Sequence, residues 1–306
     1  QGVLKLIVHS NQMIEQYDDN WEKVAVFNQE LDAFYGQLGF SKASLSDFEK
    51  GFNFNYSKDL TGFENFAKLE KSYKKNGLQT IKKARKLGIK ICEATYDELA
   101  DFKKVVDEAG ERRQFSTRDL AYYQAVYQAF GDQVKFVLAK LNFKTEHEAN
   151  QLALDAVYQE IEQAKAQNKK KSIDTLNQRV SRLDKFNVEL KRLATTYGDR
   201  DVILAAAQFF IMPNEVIYMF SGMYDDFREF SAPFLIQDYM LNYAYNHQIN
   251  QYQFMGVNAP DNPDQGVLKF KQNFKGYIWQ SSGNYELVVK PMLNKMTKIL
   301  KLIIKR

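Results

Sequence analysis

The sequence predicts a mixed α/β fold that is interrupted by a long helical hairpin. Short apolar runs alternate with stretches in which apolar residues recur every three or four positions, the pattern of strands alternating with helices. One stretch, residues 145–196, contains neither Gly nor Pro and is rich in Glu, Gln, Lys and Ala, which is typical of long paired helices. Because 45% of the 306 residues are hydrophobic, the chain can bury a large core or two adjoining ones.

The first 60 residues predict a strand, a helix and a second strand. The apolar run Gly2–Val8 is typical of the middle of a buried strand, and since the chain opens on Gln1 beside it, we expect a further segment to precede it. Periodic apolar residues predict a helix at 21–38 that ends at Gly39, and alternation predicts a strand at 52–60.

The chain then continues to alternate between helices and strands up to the hairpin. The predicted elements are a basic helix at 64–87, a strand at 89–92, helices at 96–109 and 117–130, and a strand at 134–141.

The stretch without Gly or Pro predicts an antiparallel coiled-coil hairpin. Thr145 and Glu148 have the spacing of a capping box, and the polar run 166–171 separates two helices. Asn187 lies in the apolar seam of the second helix, where a polar residue can fix the register of a pair. The apolar seam positions are Leu154, Val157, Ile161, Ala164, Ile173, Leu176, Val180, Leu183, Leu190 and Leu193.

Beyond the hairpin the sequence predicts a return to sheet structure. The predicted elements are strands at 202–211 and 216–220 joined by a turn at 212–215, a helix at 230–246, a strand, loop and helix within 252–279, a strand at 284–289, and a basic helix at 291–306.

Charge and cysteine content exclude several kinds of site. With 42 Lys and Arg against 38 Asp and Glu, any affinity for polyanions must come from local clusters. The single Cys92 excludes an internal disulfide and a multi-cysteine metal site, and it fits a reducing compartment. His9, His147 and His247 are scattered, so we expect neither a metal site nor a Ser-His-Asp triad.

Residues 252–279 carry the motif on which the functional prediction depends. Phe270 and Lys271 lie between a Gly-, Pro- and Asp-rich loop and a second aromatic run. The order aromatic-x-Phe-x-Gly, acidic loop, Gly-Val-Leu-x-Phe-Lys-x-x-Phe resembles the C-terminal signature of the FemABX peptidoglycan interpeptide-bridge aminoacyltransferases. The resemblance extends over nearly the entire chain and is strongest to the MurM/MurN type.

The resemblance implies tandem GNAT-like lobes, the first of them truncated at its N-terminus, with an antiparallel coiled-coil hairpin inserted in the second. The implied segments are the remainder of the first lobe at 1–60, the first part of the second lobe at 61–144, the hairpin at 145–196, the second part of the second lobe at 197–290, and a C-terminal basic helix at 291–306 that packs back on the first lobe.

The activity that the resemblance implies is transfer of Ala or Ser from aminoacyl-tRNA. The acceptor would be the stem-peptide lysine side chain, or a bridge residue already attached to it, of a lipid-linked or nucleotide-linked muramyl pentapeptide. No cofactor is implied, and the sequence lacks the Gly-rich pyrophosphate loop of CoA-dependent acetyltransferases. The protein would be cytoplasmic, a monomer or weak dimer, and at most peripheral at the inner face of the plasma membrane. A non-catalytic tRNA- or precursor-binding member of the same scaffold and a coiled-coil adaptor remain open alternatives.

The same resemblance assigns catalytic roles to two residues of the motif. Lys271 would stabilise the oxyanion that forms when an amine attacks an ester carbonyl, and Phe270 would shape the site where acyl group and acceptor meet. The alternative is a surface lysine beside a core phenylalanine.

Four further residues would bind the precursor. Arg118 and Tyr122 lie four positions apart on one face of a predicted helix, and Arg suits bidentate phosphate contacts. Tyr218 and Arg228 would also face the cleft. An exposed helix face is the alternative for Arg118, and core packing is the alternative for Tyr218.

Local basic clusters predict contacts with tRNA and with an anionic membrane. Clustered lysines can supply salt-sensitive phosphate contacts, although a solvated helix face or an association surface would look the same. The predicted tRNA-binding residues are Lys74, Lys75, Lys82, Lys169, Lys170 and Lys171. The amphipathic tail 295–306 could touch anionic lipid or pack against the first lobe.

Overall fold

The structure, a computed structural model, describes residues 3–45, 51, 53–262 and 265–304, with side chains through Thr297. The predicted fold class is confirmed, since strands alternate with helices and an antiparallel helical hairpin is inserted in the middle. The residues form two compact units: Gln1–Lys75, Pro213–Tyr218 and His247–Arg306 make up the first, and Asn76–Met212 with Met219–Asn246 the second. Residues 247–290 thus group with the first 75 residues, whereas the predicted segments grouped them with 197–246; the five-segment division stays a prediction.

Short strands and helices lead up to the hairpin, and a similar alternation follows it. Up to the hairpin the elements are β1 (Lys5–Tyr17), β2 (Lys23–Val26), α1 (Leu31–Gln37), β3 (Ser41–Lys42), β4 (Phe54–Asp59), α2 (Phe66–Lys71), α3 (Lys75–Ala84), β5 (Lys90–Glu93), α4 (Leu99–Arg113), α5 (Leu120–Phe130) and β6 (Val134–Asn142). The hairpin and the elements after it are α6 (Phe143–Ala166), α7 (Lys170–Tyr197), β7 (Asp201–Ile211), β8 (Glu215–Met223), α8 (Ala232–Asn246), β9 (Gln251–Val257), α9 (Gly266–Gln272), β10 (Tyr277–Val288) and α10 (Pro291–Ile304).

The first unit is built on a largely antiparallel sheet in the order β2-β1-β10-β4-β9, and β3 also pairs with β10. The first residues of β8 pair with β9 in parallel, beginning with Glu215 opposite Gln251. Its core is mainly aromatic, because Tyr56, Tyr252, Phe254 and Phe274 are at most 1% exposed. Such large buried rings fix the positions of the elements that carry them.

The second unit has the strand order β8-β7-β6-β5. Helices α4 and α5 pack on this sheet through a core that includes Phe102, Val105, Tyr123, Phe136 and Leu138. Within the ranges that the structure describes, no helix is both long enough and apolar enough to cross a membrane.

The hairpin prediction is confirmed in its seam. Leu154, Val157 and Leu190 are buried between α6 and α7, and the Asn150 side-chain amide donates to Asn187 Oδ1 at 3.2 Å across the pair. The predicted capping box is wrong, because α6 begins earlier and Asn142 caps it by accepting from the Thr145 N–H. Asparagine is a good N-cap, so the earlier start satisfies the helix end equally well.

Two predicted helices in the first 90 residues are wrong in extent. At 21–38 only Leu31–Gln37 is helical, because Trp21 and Asn28 have positive φ and the residues between them pair with β1 as β2. The basic helix at 64–87 is two helices, since α2 ends at Lys71 and its C-cap Ser72 turns back to donate to Leu69 O. Local periodicity favoured one helix, and tertiary contacts overrode it.

The remaining differences concern strand burial and element ends. Strand β1 extends to Tyr17, and Leu6 and Ile7 are 46% and 44% exposed, so the predicted buried strand is wrong in its burial. Strand β10 begins at Tyr277, seven residues before the predicted start. Phe52 of one predicted strand, and the side chains at 298–306 of the predicted amphipathic tail, lie outside the described residues.

Candidate active site

Lys271 lies near the end of α9, and its side chain turns into the first unit. The residue is 4% exposed, and its ammonium donates to the backbone carbonyls of Met255 at 3.0 Å and Gly256 at 2.6 Å. A buried charge is costly unless it is hydrogen-bonded, so these carbonyls determine where the ammonium can lie. The alternative of a surface lysine beside a core phenylalanine is wrong, because the lysine is the buried member of the pair.

A β-bulge in β9 presents these carbonyls. In the pairing of β4 with β9, Asn55 lies opposite Gly256 and Ser57 opposite Gln253, so β9 has one residue more than β4 in between. Met255 has a φ of 64°, which is uncommon for a residue with a side chain. A bulge locally disrupts the ladder and re-aims its groups. The bulge therefore explains why main-chain acceptors are available to Lys271 at this point.

Phe270 is half-buried beside the lysine and belongs to an aromatic cluster. Its ring packs edge-on against Phe274 at 5.7 Å, and Phe274 stacks on Phe254 at 5.3 Å. Phe274 also meets Tyr73 edge-on at 5.4 Å. These contacts anchor the C-terminal end of α9 to β9. Phe270 and Lys271 therefore both project from the last turn of a helix whose position is fixed.

Sequence reasoning missed a buried lysine on β4. Lys58 is 3% exposed, and its ammonium donates to Ser72 Oγ and to the backbone carbonyl of Lys275, both at 2.8 Å. Burial lowers the pKa of Lys58 to about 8, and the neighbouring Lys275 adds to the effect. The available signal was a lysine within the predicted strand at 52–60.

Arg118 and Tyr122 are brought together in the second unit, although not by helical spacing. Helix α5 begins at Leu120 with Asp119 as its N-cap, so Arg118 precedes the helix and the predicted shared face is wrong. The Arg118 guanidinium lies over the Tyr122 ring at 5.4 Å from its centre. A guanidinium held over a ring face by a cation–π contact keeps its N–H groups for other acceptors.

The segment before α5 is held by α4. Thr117 Oγ1 donates to Asp107 Oδ1 at 2.6 Å, and a Cβ at Gly110 would lie 2.6 Å from the Thr117 side chain. Only glycine at position 110 allows this close approach. The backbone that leads into Arg118 is therefore fixed, while the guanidinium itself is exposed.

The other two predicted substrate residues lie on separate elements. Tyr218 is half-buried on β8 at the end of the stretch that belongs to the first unit. Arg228 is exposed on a short 3-10 helix at Asp225–Phe230, where it forms an ion pair with Asp225. Asp225 also pairs with Arg112 at 3.2 Å. Lys271, Phe270 and Tyr218 thus belong to the first unit, and Arg118, Tyr122 and Arg228 to the second.

The six predicted tRNA-binding lysines are held in different ways. Lys74 forms an ion pair with Asp19 at 2.7 Å. Lys75 and Lys82 are exposed on α3, whose other face buries Ile81 and Ala84. The hairpin tip, where α7 begins, carries three exposed lysines: the N-cap Lys169 and the first two helical residues, Lys170 and Lys171.

Two open clefts lie in the second unit. One, of about 570 Å³, is lined by α7 residues such as Arg182 and Lys185 and by Asp226 and Glu229. The other, of about 660 Å³, has Tyr197, Tyr224 and several charged residues in its wall. None of the predicted catalytic or substrate-binding residues lines either cleft.

Known proteins resemble this chain in both sequence and fold. A family model described as the FemAB family matches residues 1–302. The chain is 29% identical over 288 residues to aminoacyltransferase FemA of Staphylococcus aureus (strain bovine RF122 / ET3-1), which covers 87% of this chain and 66% of that protein. It is 31% identical over 228 residues to FemA of Staphylococcus aureus (strain N315), covering 70% and 53%. The chain therefore spans about half to two thirds of the length of these relatives.

A solved structure shares the fold. The crystal structure of FemX aligns with a TM-score of 0.70 at 19% identity, covering 96% of this chain and 74% of that chain. The resemblance stated from the sequence motif is confirmed at the level of the family, while the predicted closeness to the MurM/MurN type stays a prediction. Because the family model covers nearly every residue, the chain belongs to the FemAB family.

Proposed function

We propose that the protein transfers Ala or Ser from aminoacyl-tRNA to a peptidoglycan precursor. The acceptor is the side-chain amine of the stem-peptide lysine, or a bridge residue already on it, in a lipid-linked or nucleotide-linked muramyl pentapeptide. The observation that carries the proposal is the match of the FemAB family model to residues 1–302, because the FemA relatives are aminoacyltransferases.

The proposed reaction replaces an ester bond with an amide bond. The acceptor amine attacks the ester carbonyl carbon and forms a C–N bond, and the carbonyl oxygen becomes an oxyanion. The bond from carbon to the tRNA ribose oxygen then breaks, and the ribose hydroxyl leaves with the proton that the amine gives up. A tRNA ester is already activated, so positioning and desolvation supply much of the remaining acceleration.

Lys271 is the residue that we assign to the oxyanion. Its support is a buried ammonium whose position is fixed by the carbonyls of Met255 and Gly256. One preorganised donor at a developing oxyanion is worth roughly 10²–10³ in rate. An ammonium carries three N–H groups, and the oxyanion would take one of them in place of, or beside, its present acceptors. Phe270 would border the acyl group and the acceptor.

Binding of the precursor is assigned to Arg118 with Tyr122, and to Tyr218 and Arg228. Arg118 is exposed and its guanidinium lies over the Tyr122 ring, which leaves its N–H groups for a phosphate. Arg228 is exposed too, but a phosphate there has to compete with Asp225. Within this set, Arg118 is therefore the stronger candidate.

Binding of the donor is assigned to exposed lysines. The cluster at 169–171 lies at the hairpin tip, and Lys75 and Lys82 lie on the solvent side of α3. Such clusters provide salt-sensitive phosphate contacts. A phosphate at Lys74 has to compete with Asp19, which already pairs with its ammonium.

The proposed substrates also suggest where the protein works. A charged tRNA is a cytoplasmic molecule, and a lipid-linked acceptor lies at the inner face of the plasma membrane. The proposal therefore includes a cytoplasmic protein, a monomer or weak dimer, with peripheral contact to anionic lipid through its basic tail.

The test is a product-mass assay on the full-length protein. Incubation with pools of charged tRNA and with lipid-linked or nucleotide-linked pentapeptide should add the mass of an alanyl or seryl residue. Lys271→Met should lower turnover by roughly 10²–10³. Lys269→Met is the matched control, because Lys269 lies on the same helix but is exposed.

Two outcomes would count against the proposal. Absence of any mass increase with every charged tRNA would exclude the transferase activity and leave a non-catalytic binding protein. Normal turnover of Lys271→Met would remove the assignment of that residue and leave the activity standing.

The hairpin surface favours one second candidate, a coiled-coil adaptor. Leu152 and Val188 are 71% and 73% exposed on the outside of α6 and α7. Apolar side chains in such positions suit association with another helical surface. Sedimentation of a form that lacks 145–196 tests this candidate, since an adaptor would change from oligomer to monomer.

A further inference from the structure

We infer that Asp19, Tyr56 and Lys58 are positioning residues that hold the turn after α9 and so fix the direction in which Lys271 presents its ammonium. The inference rests on the proposed function, because it gives these residues a role only if the Lys271 ammonium acts on the reacting ester. None of the three belongs to the motif at 252–279.

Asp19 and Tyr56 form the first anchor of the turn. Tyr56 is fully buried, and its hydroxyl donates to Asp19 Oδ1 at 2.8 Å while accepting from the Gly276 N–H at 2.7 Å. The backbone carbonyl of Asp19 accepts from the Gln272 side-chain amide at 2.8 Å. Both ends of the segment 272–276 are therefore tied to the same aspartate, directly or through one hydroxyl.

Lys74 extends the first anchor. Its ammonium pairs with Asp19 at 2.7 Å, and its own N–H donates to the carbonyl of Asn273 at 2.9 Å. Asp19 thus bonds to a tyrosine, a lysine and a glutamine that all contact or belong to this one turn. A connected polar network of this kind fixes geometry better than its separate bonds would.

Lys58 forms the second anchor. Its ammonium joins Ser72 Oγ to the carbonyl of Lys275, and it lies 5.6 Å from the centres of the Phe63 and Tyr73 rings. A buried ammonium is costly, and an apolar side chain could fill the same space without that cost. The lysine instead contributes a hydrogen bond to the backbone carbonyl of Lys275, a residue whose φ is 53°.

The clamped turn is bonded directly to the catalytic pair. The Phe274 N–H donates to the carbonyl of Lys271 at 3.0 Å, and the Asn273 N–H donates to that of Phe270 at 3.2 Å. Gly276 lies so close to β4 that a Cβ there would be 2.1 Å from the carbonyl oxygen of Ser57. A shift of this turn would consequently rotate the end of α9 and move the Lys271 side chain.

The expected consequence of loosening one anchor is a fall in the chemical rate. A misplacement of about 1 Å can cost roughly 10² in rate, so removal of one hydrogen-bonded hydroxyl should lower kcat by roughly tenfold. Substrate binding should change little in a variant that removes only the Tyr56 hydroxyl, because the ion pair between Asp19 and Lys74, the one assigned tRNA-binding residue in the first anchor, is left in place. The signature of positioning is therefore a lower kcat with an unchanged KM.

The test compares two Tyr→Phe variants of the full-length protein in the product-mass assay. Tyr56→Phe removes the hydroxyl that bridges Asp19 and Gly276 and keeps the ring. Tyr285→Phe is the matched control, because Tyr285 is 2% exposed in the same unit and its hydroxyl also donates to an aspartate, Asp32, but does not reach α9. We expect the tenfold loss of kcat in the first variant and wild-type kcat in the second, with similar small losses of thermal stability.

A double variant separates positioning from general loosening of the fold. In the Lys271→Met background, Tyr56→Phe should leave the slow residual rate unchanged, since no ammonium remains to be positioned. Hydrogen exchange should also quicken at 266–276 in Tyr56→Phe and not in Tyr285→Phe.

Each contrary result rejects a defined role. Wild-type kcat in Tyr56→Phe, beside an inactive Lys271→Met, rejects the positioning role and leaves the proposed function in place. An equal further loss in the Lys271→Met background also rejects it, because the effect then acts through the fold. Normal turnover of Lys271→Met rejects both the role of Lys271 and the inference built on it.

Discussion

The proposed mechanism assigns central roles to two cations, Lys271 in the first unit and Arg118 in the second. Their surroundings are opposite in kind. Lys271 is 4% exposed, and its ammonium is bound by main-chain carbonyls of a bulged strand. Arg118 is exposed, and its guanidinium lies over the ring of Tyr122, four positions along the chain. The buried cation depends on distant parts of the chain for its direction, and the exposed cation depends on its neighbours.

This difference predicts how each site tolerates change. A buried ammonium between two fixed carbonyls leaves no room for a larger head group, so both its charge and its shape matter. An exposed guanidinium over a ring can shift by a rotamer without disturbing the core. A conservative substitution of Lys271 should therefore abolish most of the activity, whereas a substitution of Arg118 should only weaken substrate binding.

Lys271→Arg is expected to have the largest effect. The guanidinium is planar and longer than the lysine head group, so it cannot occupy the position between Met255 and Gly256 while keeping both hydrogen bonds. We expect a loss of roughly 10²–10³ in kcat, close to that of Lys271→Met. Turnover is measured by product mass, and circular dichroism checks that the fold is retained. Near-normal turnover would mean that charge alone is required.

Lys58→Met tests whether the second anchor is a buried charge. Burial lowers the pKa of Lys58 from its ordinary 10.5 to about 8, so between those values the unfolded chain holds a proton that the folded protein has released. Stability contributed by Lys58 therefore rises with pH across that window and is constant below it. The free energy of unfolding of wild type relative to Lys58→Met should rise by about 3 kcal/mol from about pH 7 to about pH 10.5.

The measurement for Lys58→Met is denaturant unfolding of both proteins at several pH values. Taking the difference between them removes the contribution of the other titrating groups, including tyrosines whose pKa values burial raises. A difference that stays constant with pH would contradict a lowered pKa at Lys58. A difference that falls would mean that the folded protein binds the lysine proton more tightly than the unfolded chain.

Arg118→Ala should have a smaller effect, on binding rather than on chemistry. Loss of a charge-assisted hydrogen bond to a phosphate costs about 1.5–3 kcal/mol in general, and the exposure of this residue points to the lower end. We expect KM for the precursor to rise roughly tenfold with kcat nearly unchanged. Arg113→Ala, another exposed arginine near the same segment, is the control. A fall in kcat alone would contradict a binding role.

The same contrast explains which features the sequence predicts: contacts between residues close in the chain are predicted, and contacts between distant residues are not. The hairpin seam and the β7–β8 strand pair were predicted because their patterns are long and local. The proximity of Arg118 and Tyr122 was predicted from their spacing, although the helix invoked for it begins only at Leu120. Periodicity therefore identifies elements and close neighbours.

The environment of Lys271 lies beyond such patterns. The bulge at Met255 exists only because β9 pairs with β4, and Asp19 is 253 positions away from the glutamine that it binds. The motif identified Lys271, but no periodic signal connects it to Tyr56 or Lys58. The residues that fix the position of a buried charge are brought to it by strand pairing, and the register of that pairing is weakly specified by a single sequence.

The smallest expected effect is that of replacing the three lysines at the hairpin tip, 169–171. They are exposed, so their loss should disturb no packed part of the protein. Their joint replacement by Ala should weaken tRNA binding several-fold at low salt. It should also reduce the slope of log affinity against log salt by roughly 0.7–0.9 for each phosphate that the variant no longer neutralises. The matched control replaces Lys90, Lys104 and Lys144, which are also exposed lysines of the second unit but are ion-paired. Equal slopes in the two triple variants would show that the tip contributes only general charge, and the tRNA role would then pass to α3.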